Sequence, residues 1–432
     1  MHPPVDICII TQLHPSQNPR LVKDADALTA AGYSVAVIAP DFMAWAREAD
    51  REFDERAWRI VERPQFGPLS PRLTRVGELG RRLAANFAVR HLGIEHPAVV
   101  RAAHHPVAPA LVRAAIRQKA RLYLAHLTPA LPAAAIAAEH HGVPYAFDAE
   151  DFHPGDLPNT PEHAHANMLL REIESNYLHR CTYITAASPG IADAYARTYN
   201  ITKPVVVLNT FPRSRAPANF SPAGSAQPGP SLYWFSQTIG PNRGIEAAIA
   251  AISLSDAKPH LYLRGSISNG FRDELMDRAR ALKVPDRIHF LMPENPSTME
   301  RMAAAYDVGF SGEPGHTINN TIALGNKLFS YLLAGIPMLL SSTPAHTAFI
   351  GELGESAKLY AVDDPAEMAA ALDTWLLDAD RLATARSAAW SLGQSRFNWE
   401  TEAGKVVASV SNVIGSPKVS VASRTHEQRL VS

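Results

Sequence analysis

The sequence predicts an α/β protein built from two doubly wound, Rossmann-like domains that face each other across a cleft. Three observations predict it. Short apolar runs rich in β-branched residues alternate with helical stretches along the chain, as in parallel sheets covered on both faces. A Pro-rich stretch at 213–230 with no apolar period divides that alternation into two series. With 432 residues, 46% of them hydrophobic, the chain is too long for one ordinary core and supplies enough for two.

The first series opens with a strand at 5–10, a polar loop, a helix at 19–31 that Gly32 stops, and a strand at 33–39 ending at Pro40. Further strands are expected at 122–125, 145–147, 183–185 and 205–208, with helices at 130–140 and 189–199. The second series has strands at 232–235, 260–263, 288–291, 308–310 and 337–340 and helices at 245–252, 271–282 and 323–334. The resulting division is an N-terminal domain at 1–212, a linker at 213–230 and a C-terminal domain at 231–397. A terminal helix at 398–414 follows, then a polar tail at 415–432 read as disordered. The segment 42–105 is Arg-rich with apolar gaps and matches no motif.

Charged residues make up 19% of the chain and the formal net charge is -1, which argues against a nucleic-acid partner. The two cysteines, Cys8 and Cys181, sit inside apolar runs and read as core residues. No secretory signal and no uncharged apolar run of membrane-spanning length is seen, so a cytoplasmic location is expected, with room for peripheral association with the inner face of a membrane.

Open parallel sheets bind ligands beyond the C-terminal ends of their strands, so polar residues there are the candidates. The first such loop, 11–20, has no glycine where a dinucleotide fold places G-x-G-x-x-G, and no cofactor is expected. Asn18 in that loop reads either as a turn residue or as a ligand contact. Arg20 opposes the dipole at a helix start unless an anion lies nearby. His126 ends a strand, as a structural hydrogen-bonder or a catalytic group. Asp148 and Asp151 follow the next strand, and with Glu150 and His153 they fit no metal spacing, so no metal is expected.

In the second series, Gly240 to Glu246 forms a Gly-containing turn that opens a helix and carries Arg243. It reads either as a phosphate site or as an ordinary helix start with a solvated arginine. Asn326, Lys327 and Ser330 cluster near the start of the helix that bears Leu324, Leu328, Phe329 and Leu332 on its inner face. No G-x-S-x-G, Walker A loop or zinc spacing occurs.

From Ile7 to about Val413 these motifs resemble the GT-B glycosyltransferases of retaining family 4, the glycosyl transferases group 1. The resemblance rests on Asn18-Pro19-Arg20, on Ala31-Gly32-Tyr33-Ser34-Val35, on Ala125-His126-Leu127 and on Phe147-Asp148-Ala149-Glu150-Asp151. It continues in Ala187 to Ala192 and Phe397-Asn398-Trp399-Glu400. Most specific are Gly240 to Glu246 and Asn326-Lys327-Leu328-Phe329-Ser330-Tyr331-Leu332-Leu333-Ala334-Gly335-Ile336-Pro337, in that order.

The resemblance implies transfer of a sugar from a nucleotide-sugar donor, a UDP- or GDP-sugar, to an unidentified acceptor, with retention of configuration and no metal. Arg243 and Lys327 hold the donor diphosphate beside Gly240 and Asn326. His126 contacts the transferred sugar and is expected to matter for turnover more than for folding. Asn18, Arg20, Asp148 and Asp151 lie toward the acceptor. One position departs: the glutamate that holds the ribose in this family aligns with Ser330, and the position eight residues earlier is Ile322. Ser330→Glu is therefore expected to tighten nucleotide binding, unless Glu313 or Glu294 swings in to replace the missing carboxylate. Two other readings stay open: a transferase-like binding protein, and a sugar-nucleotide 2-epimerase.

Overall fold

A computed structural model describes residues 3–158, 160–222 and 226–417, so most of the tail read as disordered lies outside the described residues. The chain divides into two compact units. The first holds the chain up to Ala186, Ala192–Val207 and the chain from Ala403 on; the second holds Ala187–Ile191 and Leu208–Glu402.

The first unit is a seven-stranded sheet: β1 (Val5–Thr11), β2 (Val35–Ile38), β3 (Arg59–Glu62), β4 (Ala120–His126), β5 (Tyr145–Ala149), β6 (Ile184–Ala186) and β7 (Val205–Val206), in the order β3-β2-β1-β4-β5-β6-β7. Every pairing is parallel. Helices cover both faces, so the strands read as unbroken apolar runs, and Ile7, Cys8, Ile9 and Ile10 are all fully buried. Strand order reverses between β1 and β4, where the chain leaves one side of the sheet for the other. β5 runs two residues past the expected end and takes Asp148 into the sheet.

The second unit has a six-stranded sheet, β8 (Ser231–Ile239), β9 (His260–Ile267), β10 (Ile288–Leu291), β11 (Val308–Ser311), β12 (Met338–Ser341) and β13 (Ala357–Tyr360), in the order β10-β9-β8-β11-β12-β13, again all parallel. Its reversal lies between β8 and β11. Trp234, Phe310, Leu339 and Trp375 anchor its core. The helix expected at 323–334 begins only at Asn326 and ends at Ala334, and a separate short helix, Ile318–Ile322, precedes it. Ala323 and Gly325 are extended, so the backbone straightens before Gly325 caps the second helix.

The uninterpreted segment 42–105 contains the edge strand β3 and the helices Ala44–Ala49, Arg72–Leu92 and Pro97–His104. The terminal helix runs Trp399–Ile414. Among the described residues no helix is long and apolar enough to cross a membrane.

Candidate functional site

The second sheet brings two glycine-bearing loops together at its reversal. One follows β8 and runs Gly240 to Gly244; the other follows β11 and begins at Gly312. Gly244 has φ +72°, and a Cβ there would overlap the carbonyl oxygen of Gly312. A Cβ at Gly312 would stand 2.7 Å from the Tyr360 hydroxyl and 3.2 Å from the Arg243 carbonyl oxygen. Only glycine at both positions lets the two backbones touch at this spot.

Lys327, one of the cations the sequence singled out, reaches this spot. Glu313, next to Gly312, accepts a hydrogen bond from Lys327 Nζ at 2.6 Å and from Ser311 Oγ at 2.5 Å. Burial alone would raise the Glu313 carboxyl, but Lys327 outweighs it and holds the group down at about 2. Lys327 is buried and its ammonium also lies 5.4 Å from the centre of the Trp234 ring. Asn326, the first residue of the helix Asn326–Ala334, is exposed, and Gly325 caps that helix without a side chain, leaving backbone N–H groups there for another acceptor. The Arg243 carbonyl lies close against Gly312, while its half-buried side chain has no acidic partner among the described residues. Gly240, Arg243, Asn326 and Lys327 thus share one end of one sheet, with more positive charge than Glu313 balances.

Ser330 belongs to a different place. One turn into the same helix, it is completely buried, and its Oγ donates to Glu300 Oε1 at 3.3 Å. Glu300 lies on the helix Met299–Ala303 and is itself buried. Neither carboxylate expected as a substitute reaches Ser330: Glu313 is held by Lys327, and Glu294 is half exposed at 4.0 Å from Arg264.

In the first unit, strand register sets a polar row across the C-terminal ends of four strands. Thr11 pairs with His126, His126 with Asp148, and Asp148 with Thr185, and all four side chains are buried. The helix Pro19–Ala30 lays Arg20 and Asp24, four residues apart and so on one face, over this row. Arg20 donates from Nε and Nη2 to the two oxygens of Asp148 at 2.7 and 2.8 Å, and from Nη1 to the Val207 carbonyl at 2.9 Å. Thr185 Oγ1 donates to Asp148 as well. His126 lies between carboxylates, Nε2 3.3 Å from Asp24 and Nδ1 3.5 Å from Asp148. Asp24, His126 and Asp148 bring potential ligand atoms within 4.8 Å of one another. They do not fit one ion, because Arg20 takes both Asp148 oxygens and the carboxylates face different nitrogens of the ring.

Asn18, Arg20, His126 and Asp148, expected near a ligand, are each engaged by groups of the protein itself. The anion that Arg20 needs is Asp148 of the same protein. Asn18 caps the helix Pro19–Ala30, accepting from the Leu21 amide at 3.1 Å. His126 is 1% exposed. Asp151 stays half-buried in the loop after β5. A second buried carboxylate went unnoticed in the sequence: Glu174 accepts from Thr128, Tyr195 and Tyr199 at 2.8, 3.0 and 2.6 Å. It lies mid-helix with no motif around it.

Burial would depress the His126 imidazole, but Asp24 and then Asp148 raise it above its ordinary value. A raised folded pKa stabilises below the unfolded value and loses that contribution as pH climbs through the folded one. His126→Ala should therefore cost about 1–2 kcal/mol near pH ~5.5 and less near pH ~9, measured by urea unfolding. An equal cost at both pH values would show that the ring acts by packing alone.

No family model matches the chain, and no characterised protein matches it in sequence. The two parallel sheets with their covering helices have the GT-B fold of glycosyltransferases. Among solved structures, HepE of Anabaena in complex with UDP and glucose superposes with a TM-score of 0.67 at 17% identity, covering 94% of this chain and 100% of that one. Sucrose-phosphate synthase from Thermosynechococcus elongatus superposes with a TM-score of 0.65 at 14% identity, over 99% of each chain. A glycosyltransferase from Rickettsia africae gives 0.64 at 12% identity, covering 96% of this chain and 99% of that one.

Proposed function

We propose that the protein is a cytoplasmic glycosyltransferase that takes a sugar from a UDP-sugar bound by its second unit and transfers it, without a metal and with retention, to an acceptor. The observation that carries the reading is the meeting of the two glycine loops at the β8–β11 reversal, with Arg243 and Lys327 beside it. A diphosphate is the ligand that this arrangement suits: Arg243, Lys327 and the starts of two helices all stand on the loops where the sheet reverses. As the bond from the sugar to the diphosphate breaks, negative charge grows on the leaving phosphate, and fixed cations stabilise that charge more than they stabilise the bound donor. Complexes of HepE with UDP and with UDP-glucose favour uridine as the base.

Calorimetric titration of the whole chain with UDP and GDP tests the site. Lys327→Ala should weaken UDP binding by about 1.5–3 kcal/mol, the range for a charge-assisted hydrogen bond. That variant also strands Glu313, so Lys327→Ala with Glu313→Gln is the control, and it too should bind more weakly than wild type. Unchanged affinity in the double variant would remove Lys327 from the site. A second reading, a non-catalytic protein that binds the nucleotide-sugar, is favoured by one observation: Ser330 faces Glu300 inside the protein and offers no carboxylate to a ribose. UDP binding without UDP release from any donor and acceptor pair would select it.

A further inference from the structure

The helix Arg72–Leu92 carries an apolar face that the protein leaves bare. Leu73, Val76, Leu79, Leu83 and Phe87 are between 57% and 89% exposed. Each follows the last by three or four residues, so the five form one stripe along the helix. The opposite face holds the helix to its own unit through Ala85 and Val89, the two residues it buries. Lone exposed leucines are ordinary on a protein surface, but an uninterrupted stripe of this kind marks an interaction site.

The charges indicate the partner. The same helix holds Arg72, Arg75, Arg81, Arg82 and Arg90 against a single acid, Glu78, although the whole chain has a net charge of -1. At helical spacing Arg75 and Arg82 run along one edge of the stripe, Arg72 and Arg90 sit at its two ends, and Arg81 lies nearer the side of the buried Ala85. Apolar side chains at the centre with guanidinium groups around them suit the boundary between acyl chains and anionic headgroups, where long arginines reach outward to phosphate. Gly77 and Gly80 each weaken the helix by roughly 1 kcal/mol relative to alanine, so a helix of this composition gains from lying against something. A second copy of the chain fits poorly, because a two-fold contact along the stripe, parallel or antiparallel, sets the arginines at its ends, Arg72 and Arg90, against arginines of the other copy.

We propose that the helix Arg72–Leu92 is the docking surface of this protein for an anionic lipid bilayer, lying in the plane of the membrane with its leucine stripe in the headgroup and acyl boundary. The proposal stands apart from the donor chemistry, since none of these residues belongs to the second unit.

Co-sedimentation of the full chain with vesicles tests it. The wild type should bind vesicles of phosphatidylglycerol and phosphatidylcholine at least about tenfold more tightly than vesicles of phosphatidylcholine alone. Leu79→Asp with Leu83→Asp should lose at least about a hundredfold in binding to the mixed vesicles. Its melting temperature should hold, because both leucines are already in solvent. Arg75→Gln with Arg82→Gln should abolish the preference for the anionic vesicles. A wild type that ignores both kinds of vesicle overturns the proposal. So does a wild type that is dimeric in sedimentation equilibrium and becomes monomeric in the Leu79 and Leu83 variant without ever binding lipid.

Discussion

Ser330→Glu is expected to destabilise the protein by about 3–5 kcal/mol and to bind UDP no more tightly than the wild type. The helix face that carries Ser330 packs against Glu300, so a glutamate there brings a second carboxylate into a space from which water is excluded. Two buried acids at hydrogen-bond distance cannot both ionise, and the larger side chain also exceeds the volume that serine fills. Urea unfolding at neutral pH measures the loss. Ser330→Ala, which removes only one hydrogen bond to Glu300, should cost no more than about 1.5 kcal/mol. If Ser330→Glu keeps wild-type stability and gains affinity for UDP, the position opens to the nucleotide and the burial described above is not that of the working protein.

Arg20→Met should cost a similar 3–5 kcal/mol, and for the opposite reason: it strands a charge instead of adding one. Without the guanidinium, the Asp148 carboxylate keeps only Thr185 and the more distant His126, and the Val207 carbonyl loses its donor. Burial would raise the Asp148 carboxyl, yet Arg20 first and His126 next hold it down at about 2. A depressed folded pKa stabilises above the unfolded carboxylate value and loses that contribution as pH falls toward the folded one. The wild type should therefore lose stability between pH about 4 and about 2 more steeply than Arg20→Met, because the variant has already given up this contribution. Parallel acid limbs in the two proteins would show that the pair contributes nothing through its charge.

The sheets were legible in the sequence because buried parallel strands must be continuous apolar runs, and Gly32, Pro40, Gly142 and Gly335 punctuate the turns between them. The helix starts near Arg243 and Lys327 were legible for the same local reason: a glycine, Gly244 or Gly325, stands immediately before each helix. What stayed hidden was pairing at a distance. Arg20 and Asp148 are 128 residues apart, and only strand register brings them together. Ser330 was misread because helical spacing places it near Lys327 without saying that it turns inward to Glu300. The helix Arg72–Leu92 was illegible for yet another reason. A periodic apolar stripe is ordinarily read as the inner face of a helix, and here it is the outer one.

The meeting of Gly244 and Gly312 limits how this protein can change over generations. A side chain added at Gly244 runs into the backbone of Gly312, and no mutation can trim a backbone atom. Its positive φ adds strain for any replacement, wherever the neighbours move. Damage at this position therefore has no second-site cure by making the opposing residue smaller, since that residue is already the smallest there is. In a selection for regained activity, lesions at Gly244 should yield true revertants, whereas lesions in the packed core can also be rescued by compensating changes of volume nearby. The crossing behaves as an inherited constant, and lineages that diverge in function must do so by changing what surrounds it.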